Sequence, residues 1–557
     1  MRTTFALRAA VALLLAASVV ASAGPSSVAA PRRPRADGLT RALRQGEISE
    51  PRYALERART LFRLGDVRAR YGFVRAPRPP AATAILQDLA EALPSLSGPE
   101  REEAGAYFAR PPDGDADPLG HGYEVARKSV RHVCSTERTT TGKKRKLCLH
   151  WVSRTRDAPP PADADADGVP DQVELTQQVL RTVWQVEINE YGYRAPRRDD
   201  GKQAGQGPNR GLDVYLADVG AVGLFGYCTS DEPNADQKDR VYAYCVLDDD
   251  FDLRQFPPPN VSGEPALRVT AAHEFFHAVQ FAYEFSTKDR YLKEGTATWM
   301  EDEVYDDVND NYRYLEDSAL HQPEVPLNAF QAGGDGEDFE YGAWIFWRFL
   351  SEYFGTPDVI REVWKLTAPS GDADPSALKG TRRAVKRFEP VDPLVDPASS
   401  TPFKAAFAEF GVWIFDYPRF FEEGEGYFQA LGAFAPLDAA FVLAPGDDTG
   451  ERELLIDRLS RRGVAVFAQG DRRSTLRLTF DLPPRAEGSE ASLHFCYQDP
   501  AGACSDASEE EIVAVPLEAS GDAVVERAGV ANVAIVLTNA HGKLNDQPYR
   551  YRAELLP

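Results

Sequence analysis

The spacing of apolar residues changes several times along this chain. Between 38 and 109 they recur every three or four residues, which predicts helices over 38–64, 83–92 and 97–109. The run "ARPPDGDADPLG" then ends that pattern with proline, glycine and aspartate. From 125 onward apolar and polar residues alternate. "VRHVCSTERTTTGKKRKLCLHWV" predicts two strands around a turn, and "GLDVYLADVG" and "DRVYAYCVLDDDF" predict further strands. Helical spacing returns between 265 and 360, where "AAHEFFHAVQFAYEF" is nearly apolar all round and predicts a buried helix. After 452, short alternating runs such as "STLRLTFDL" and "VANVAIVLTN" predict a β-sandwich. The expected class is α+β: a helical segment over 24–124, a mixed domain over 125–445 and a sandwich over 452–557.

The first residues carry a different signal. Arg2 and Arg8 precede the short apolar run "AAVALLLAASVV", and small residues follow at Ala21 to Ala23. This predicts a signal peptide over 1–23 and an exported, soluble protein, extracellular or periplasmic. The run is too short to predict a membrane span, so no membrane insertion is expected.

Length and charge narrow the picture. A chain of 557 residues, 43% of them hydrophobic, has room for two or three folded units. A net charge of −23 excludes nucleic acid as an expected partner. The charge is uneven, because residues 31–80 hold thirteen arginines, no lysine and five acidic residues. A basic helical segment between a signal peptide and an acidic body reads as a pro-region that docks electrostatically, inhibits the body and is later removed. The alternative is a permanent helical subdomain. Six cysteines fall into three local pairs, Cys134 with Cys148, Cys228 with Cys245 and Cys496 with Cys504. Three local disulfides are expected, in keeping with export.

The candidate chemistry lies in "HEFFH". On a helix His273 and His277 stand one turn apart on one face, so both imidazoles can reach one zinc ion. Glu274, at the edge of that face, can reach a water there without ligating the metal. A metzincin would need a glycine and a third histidine where this chain has Gln280 and Tyr283. Glu294, in "YLKEGTATWMED", is the candidate third ligand if the chain turns at "STKDR" and returns antiparallel. Thr298 and Glu301 follow on the same face, and Glu301 could orient a ligating histidine.

A second constellation is "DADADGVPDQVE", which fits the calcium-loop pattern of an EF-hand. Asp163, Asp165, Asp167, the carbonyl of Val169, Asp171 and Glu174 would be the ligands, with Gly168 at the turn. Proline residues replace the entering helix, so a lone structural Ca2+ loop is expected. Two further acidic runs, 247–252 and 301–311, could bind more calcium near the site, although a charge run is more often a solvated face.

These motifs resemble the gluzincin metallopeptidases, the clan of thermolysin and the membrane alanyl aminopeptidases, in which a Glu-Gly pair like Glu294-Gly295 supplies the third ligand. The stretch 125–360, with "DADADGVPD", "DVYL" and "YGAWIFWRFL", also resembles a family of poorly characterised secreted bacterial metalloproteases. The resemblance implies a catalytic domain of mixed sheet and zinc helices, and an extended peptide laid along an outer edge strand, here the one over "DRVYAYCVLDDDF". It implies a zinc endopeptidase with Glu274 as general base. Two departures are plain. The only methionines are Met1 and Met300, so the aminopeptidase segment that holds a substrate amino group is missing. The position aligned with the clan's transition-state tyrosine is Phe339, and Tyr341 lies two residues out of register; it is either the oxyanion donor or a packing residue. The expected partner is a protein or peptide substrate. The alternatives are a zinc hydrolase of small peptides or amides, and a calcium-stabilised adhesion protein with an inactive protease domain.

Overall fold

The computed structural model describes residues 37–116, 123, 130–199, 210–232, 240–285, 289–330, 338–367, 376–396, 400–497 and 510–557. Residues 1–23, expected from the sequence to be a signal peptide, and Cys504 lie outside them.

The N-terminal segment forms four helices, α1 (Gly38–Arg44), α2 (Glu50–Tyr71), α3 (Ala82–Ala92) and α4 (Gly98–Ala106). The single helix expected over 38–64 is two. Asp37 Oδ1 accepts from the N–H groups of Leu39 and Thr40 to start α1. Gly46, at φ 72°, lies just past its end, and Ser49 caps α2. The arginines divide their work. Arg52 and Arg59 both pair with the buried Glu56 of their own helix, at 2.8 and 2.7 Å. Arg78 and Arg110 pair with aspartates of the acidic body, Asp338 at 2.6 Å and Asp213 at 2.6 Å. Leu55, Ile85, Leu86 and Leu89 belong to the same apolar core as the body's sheet and helices.

The body opens on a five-stranded mixed sheet in the order β1 (Val130–Arg138), β2 (Lys144–Val152), β3 (Gly211–Ala217), β5 (Tyr244–Asp248), β4 (Gly226–Thr229). β1 and β2 are antiparallel, β2, β3 and β5 run parallel, and β4 turns back against β5. "DRVYAYCVLDDDF" is therefore not the outer strand. β5 is hydrogen-bonded on both sides, and the four residues of β4 form the edge. Two disulfides join residues directly opposite in antiparallel ladders, Cys134–Cys148 across β1 and β2 and Cys228–Cys245 across β5 and β4. The expected Cys496–Cys504 pair falls outside the described residues.

Helices cover the sheet. α5 (Asp171–Trp184) follows the acidic loop and continues as a π-helical turn over Gln185–Glu190. α6 (Gly263–Phe281) packs on β4 and β5, and α7 (Arg290–Val304) packs on α6. The helices α8 (Phe339–Gly342), α9 (Trp344–Tyr353), α10 (Asp358–Thr367), α11 (Ala377–Ala384), α12 (Pro402–Phe415), α13 (Tyr417–Phe420) and α14 (Gly424–Leu431) follow in the body. Among the described residues no helix is long and apolar enough to cross a membrane.

The C-terminal part is two facing sheets with their own core. β11 (Glu510–Ala514), β10 (Ser489–Tyr497), β13 (Val530–Asn539), β8 (Ser460–Ala468) and β6 (Ala439–Leu443) form one. β12 (Asp522–Ala528), β9 (Thr475–Asp481), β14 (Gln547–Leu556) and β7 (Arg452–Ile456) form the other. Val466, Phe495 and Ile535 of the first sheet meet Leu478, Phe480 and Tyr551 of the second. The sandwich begins earlier than 452, because β6 pairs in parallel with β8. It is also joined closely to the body. α12 packs on β10 and β13, while its Phe410 meets Phe346 of α9 at 5.2 Å. Two backbone bonds cross as well, from Leu327 N–H to Leu459 O and from Arg461 N–H to Pro323 O.

Candidate metal centre

Two antiparallel helices build the site. α6 is buried on every side from Ala271 to Phe281, as its apolar sequence requires. The chain turns at Asp289, in the left-handed region at φ 62°, and its Oδ2 accepts from Ala377 N–H. α7 then runs back so that Glu301 lies beside His273 and Lys293 beside Gln280. Gly295 is required there, since a Cβ would come within 2.8 Å of Trp347 Nε1 and 3.2 Å of Ala343 Cβ.

This pairing brings His273, His277 and Glu294 together. Both histidine Nε2 atoms lie 3.5 Å from Glu294 Oε2. Tetrahedral zinc with bonds of about 2.1 Å sets its ligand atoms roughly 3.4 Å apart, so the three side chains have the right separation. Both Nε2 atoms and both Glu294 oxygens are buried without a hydrogen-bond partner. Such a set of orphaned donors is costly unless a cation joins them. The donor set fits zinc.

The other ring nitrogens are held. His273 Nδ1 lies 2.7 Å from Glu301 Oε1, and His277 Nδ1 lies 2.9 Å from Gln280 Oε1. Gln280 Nε2 donates to Lys293 O, which turns its oxygen toward the imidazole. A proton on each Nδ1 leaves each Nε2 lone pair free for a metal. Burial raises Glu274, opposed only in part by the histidines and the Thr83 hydroxyl. Burial pushes Glu301 up to about 7 against the pull of His273.

Tyr341 stands beside the site. Its ring stacks on Tyr314 at 5.1 Å and lies parallel to His273 at 6.2 Å, and its hydroxyl is buried without a partner. Burial raises the phenol well above its ordinary value, so it keeps its proton at neutral pH. Thr298 is buried with its hydroxyl unpartnered and makes no hydrogen bond to either histidine.

Two partners were missed from the sequence. Gln280 lies one helical turn after His277, so helix geometry alone could have found it. Thr83 could not have been found that way, being 191 residues from Glu274. It stands on α3, and its Oγ1 donates to Glu274 Oε2 at 2.8 Å and accepts from the N–H of Cys228, on β4, at 2.8 Å. Arg290 ties the same helix down, donating to Asp88 and to the carbonyl of Ala84. The site is closed: His273, Glu274, His277 and Glu294 are 2%, 1%, 0% and 0% exposed. Pro80, Phe225, His273, Glu274 and Tyr314 are among the residues lining a cavity of about 10 Å³, room for one water.

The acidic loop places the Asp163, Asp165 and Asp167 carboxylates within 4.8 Å of one another. Asp163 Oδ2 accepts from Gly168 N–H, Asp167 Oδ1 from Val169 N–H and Asp171 Oδ1 from Ala164 N–H. Gly168, at φ 90°, makes the turn. Glu174 is raised by what burial it has and by the four aspartates. The runs 247–252 and 301–311 are not simply solvated faces. Asp248 is buried and accepts from Gly220 and Phe251 N–H. Asp302 is buried and pairs with Arg348 at 3.2 Å. No protein-family model matches this chain, and no curated protein matches it either.

Proposed function

We propose that the chain is an exported zinc endopeptidase of the gluzincin type, with a catalytic domain built on the mixed sheet and on α6 and α7. One observation carries the reading: His273 Nε2, His277 Nε2 and Glu294 meet, buried and otherwise partnerless, at the spacing of tetrahedral zinc. Those three side chains would hold the ion. Bound there, zinc supplies a water that ionises near neutral pH and a Lewis acid for the peptide carbonyl. Glu274 takes the proton of the attacking water and passes it to the leaving amine. Tyr341 offers its hydroxyl to the developing oxyanion. Glu301 and Gln280 keep the histidine protons on Nδ1. The two local disulfides are compatible with an oxidising, extracellular setting.

The test is chelator-reversible cleavage of an unfolded protein by the zinc-loaded chain, with zinc content measured in parallel. Because α3 lies across the site, the assay is run on the full chain and on the same chain carrying Asp88→Arg. Stoichiometric zinc without cleavage by either would leave the two alternatives, a zinc hydrolase of small peptides or amides and a calcium-stabilised binding protein with an inactive protease domain.

The acidic loop is proposed as a structural Ca2+ site formed by Asp163, Asp165, Asp167, the Val169 carbonyl, Asp171 and Glu174. Calcium at a hundred times its Kd should then add about 2.7 kcal/mol to stability, read as a higher melting temperature after chelator treatment and readdition. Asp163→Ala with Asp167→Ala should abolish the rise. A melting temperature indifferent to calcium in the unaltered chain would remove the site.

A further inference from the structure

We infer that α3 is a built-in cover of the metal site, and that the chain as it stands is closed until residues 78–92 are lifted from it. The inference rests on the peptidase reading for its consequence, though the cover itself is a matter of contacts.

The Thr83 hydroxyl occupies two positions that a substrate would need. It donates to Glu274, the proposed base, and accepts from the Cys228 N–H on the edge strand. An edge strand offers unpaired backbone groups to an incoming extended chain, and here one such group is already taken. Pro80 closes the space beside His273 and Glu274, leaving room for a water and not for a peptide.

The cover is held at both ends and along its length. Arg78 pairs with Asp338 on one side, and Arg290 grips Asp88 and the Ala84 carbonyl on the other. Between them Ile85, Leu86 and Leu89 are at most 1% exposed within the main core. Opening breaks those contacts, so the closed form is the resting one. Dissociation of the whole segment is opposed farther along the chain. Arg110 is fully buried among Asp213, Asp231 and the ring of Tyr244. The lever is therefore local: α3 swings away while Arg110 keeps its part of the segment attached.

Two surface changes act on the grips without touching the site. Asp88→Arg sets a second cation against Arg290, and Arg78→Glu sets an anion against Asp338. Either should raise hydrolysis of a labelled unfolded protein by the zinc-loaded full chain, and the rate at which a chelator strips the zinc, by at least about tenfold. Amide exchange over 82–92 and 226–229 should speed up together in both variants. In the unaltered chain those two segments should open at a common rate, a measurement that needs no variant. The inference is overturned if the unaltered chain already hydrolyses as fast as both variants. It is equally overturned if exchange over 226–229 and zinc stripping stay unchanged while 82–92 is freed. Faster exchange and stripping without hydrolysis would keep the cover and remove the peptidase reading.

Discussion

Glu274→Gln, made in the chain opened by Asp88→Arg, is expected to keep zinc and to lower peptide hydrolysis by about 10²- to 10⁴-fold. The amide has the shape of the carboxyl, so α6 is not disturbed, and it can accept from the Thr83 hydroxyl whenever α3 is down. The three ligand side chains are untouched, and their supports, Glu301 and Gln280, lie elsewhere. What is lost is a proton acceptor. The loss should fall on kcat, because an amide can sit beside a bound peptide as a carboxylate does. Metal analysis and steady-state rates on the same preparation check it. Unchanged rates would place the base on another residue. Loss of zinc would show that Glu274 belongs to the ligand set.

Arg110→Ala is expected to destabilise the fold by about 3–5 kcal/mol. The guanidinium donates from Nη1 to Asp213 at 2.6 Å and to the Tyr215 hydroxyl at 3.2 Å, and from Nε to Asp231 at 2.7 Å. Burial acts to lower its pKa, yet Tyr215, Asp231 and Asp213 outweigh that and raise it well above normal. Removing the cation leaves the buried Asp213 and the part-buried Asp231 with that charge unmatched. Arg110→Lys should recover little, because a point charge cannot fork between two carboxylates. The midpoint of urea unfolding measures both changes. A cost below about 1 kcal/mol for the alanine variant would mean that the aspartates are satisfied without Arg110.

How much of this was legible in the sequence depended on distance along the chain. His273 and His277 are one helical turn apart, so local geometry was enough to pair them. Glu294 required only that the helix after "STKDR" run back along the first, and α7 does so. The two described disulfides join neighbours in hairpin-like ladders, again a local matter. The contacts of Thr83 with Glu274 and of Arg110 with Asp213 could not be read, because each spans more than one element and neither residue sits in a periodic motif. The outer strand was misplaced for a related reason. "GYCT" is too short to show alternation, while the neighbouring "YCVLD" shows a strong strand pattern and so looked like the one that mattered. The acidic runs misled because charge counts do not reveal where backbone N–H groups or Arg348 will converge. The start of the sandwich was missed because Ala439–Leu443 joins its sheet through a parallel partner two strands later.

The seam at α12 has a consequence for how this chain could be taken apart. Gly411 lies against β13 so closely that a Cβ would come within 2.7 Å of the Thr538 methyl and 3.1 Å of Val536. The same helix carries Phe407 and Phe410 into the aromatic cluster of α9. The C-terminal sheets are thus not a portable cassette that a shortened gene could drop or a fusion could borrow. A chain ending before 439 would expose one flank of α12 to water, and a transplanted sandwich would carry a bare apolar furrow wherever it went.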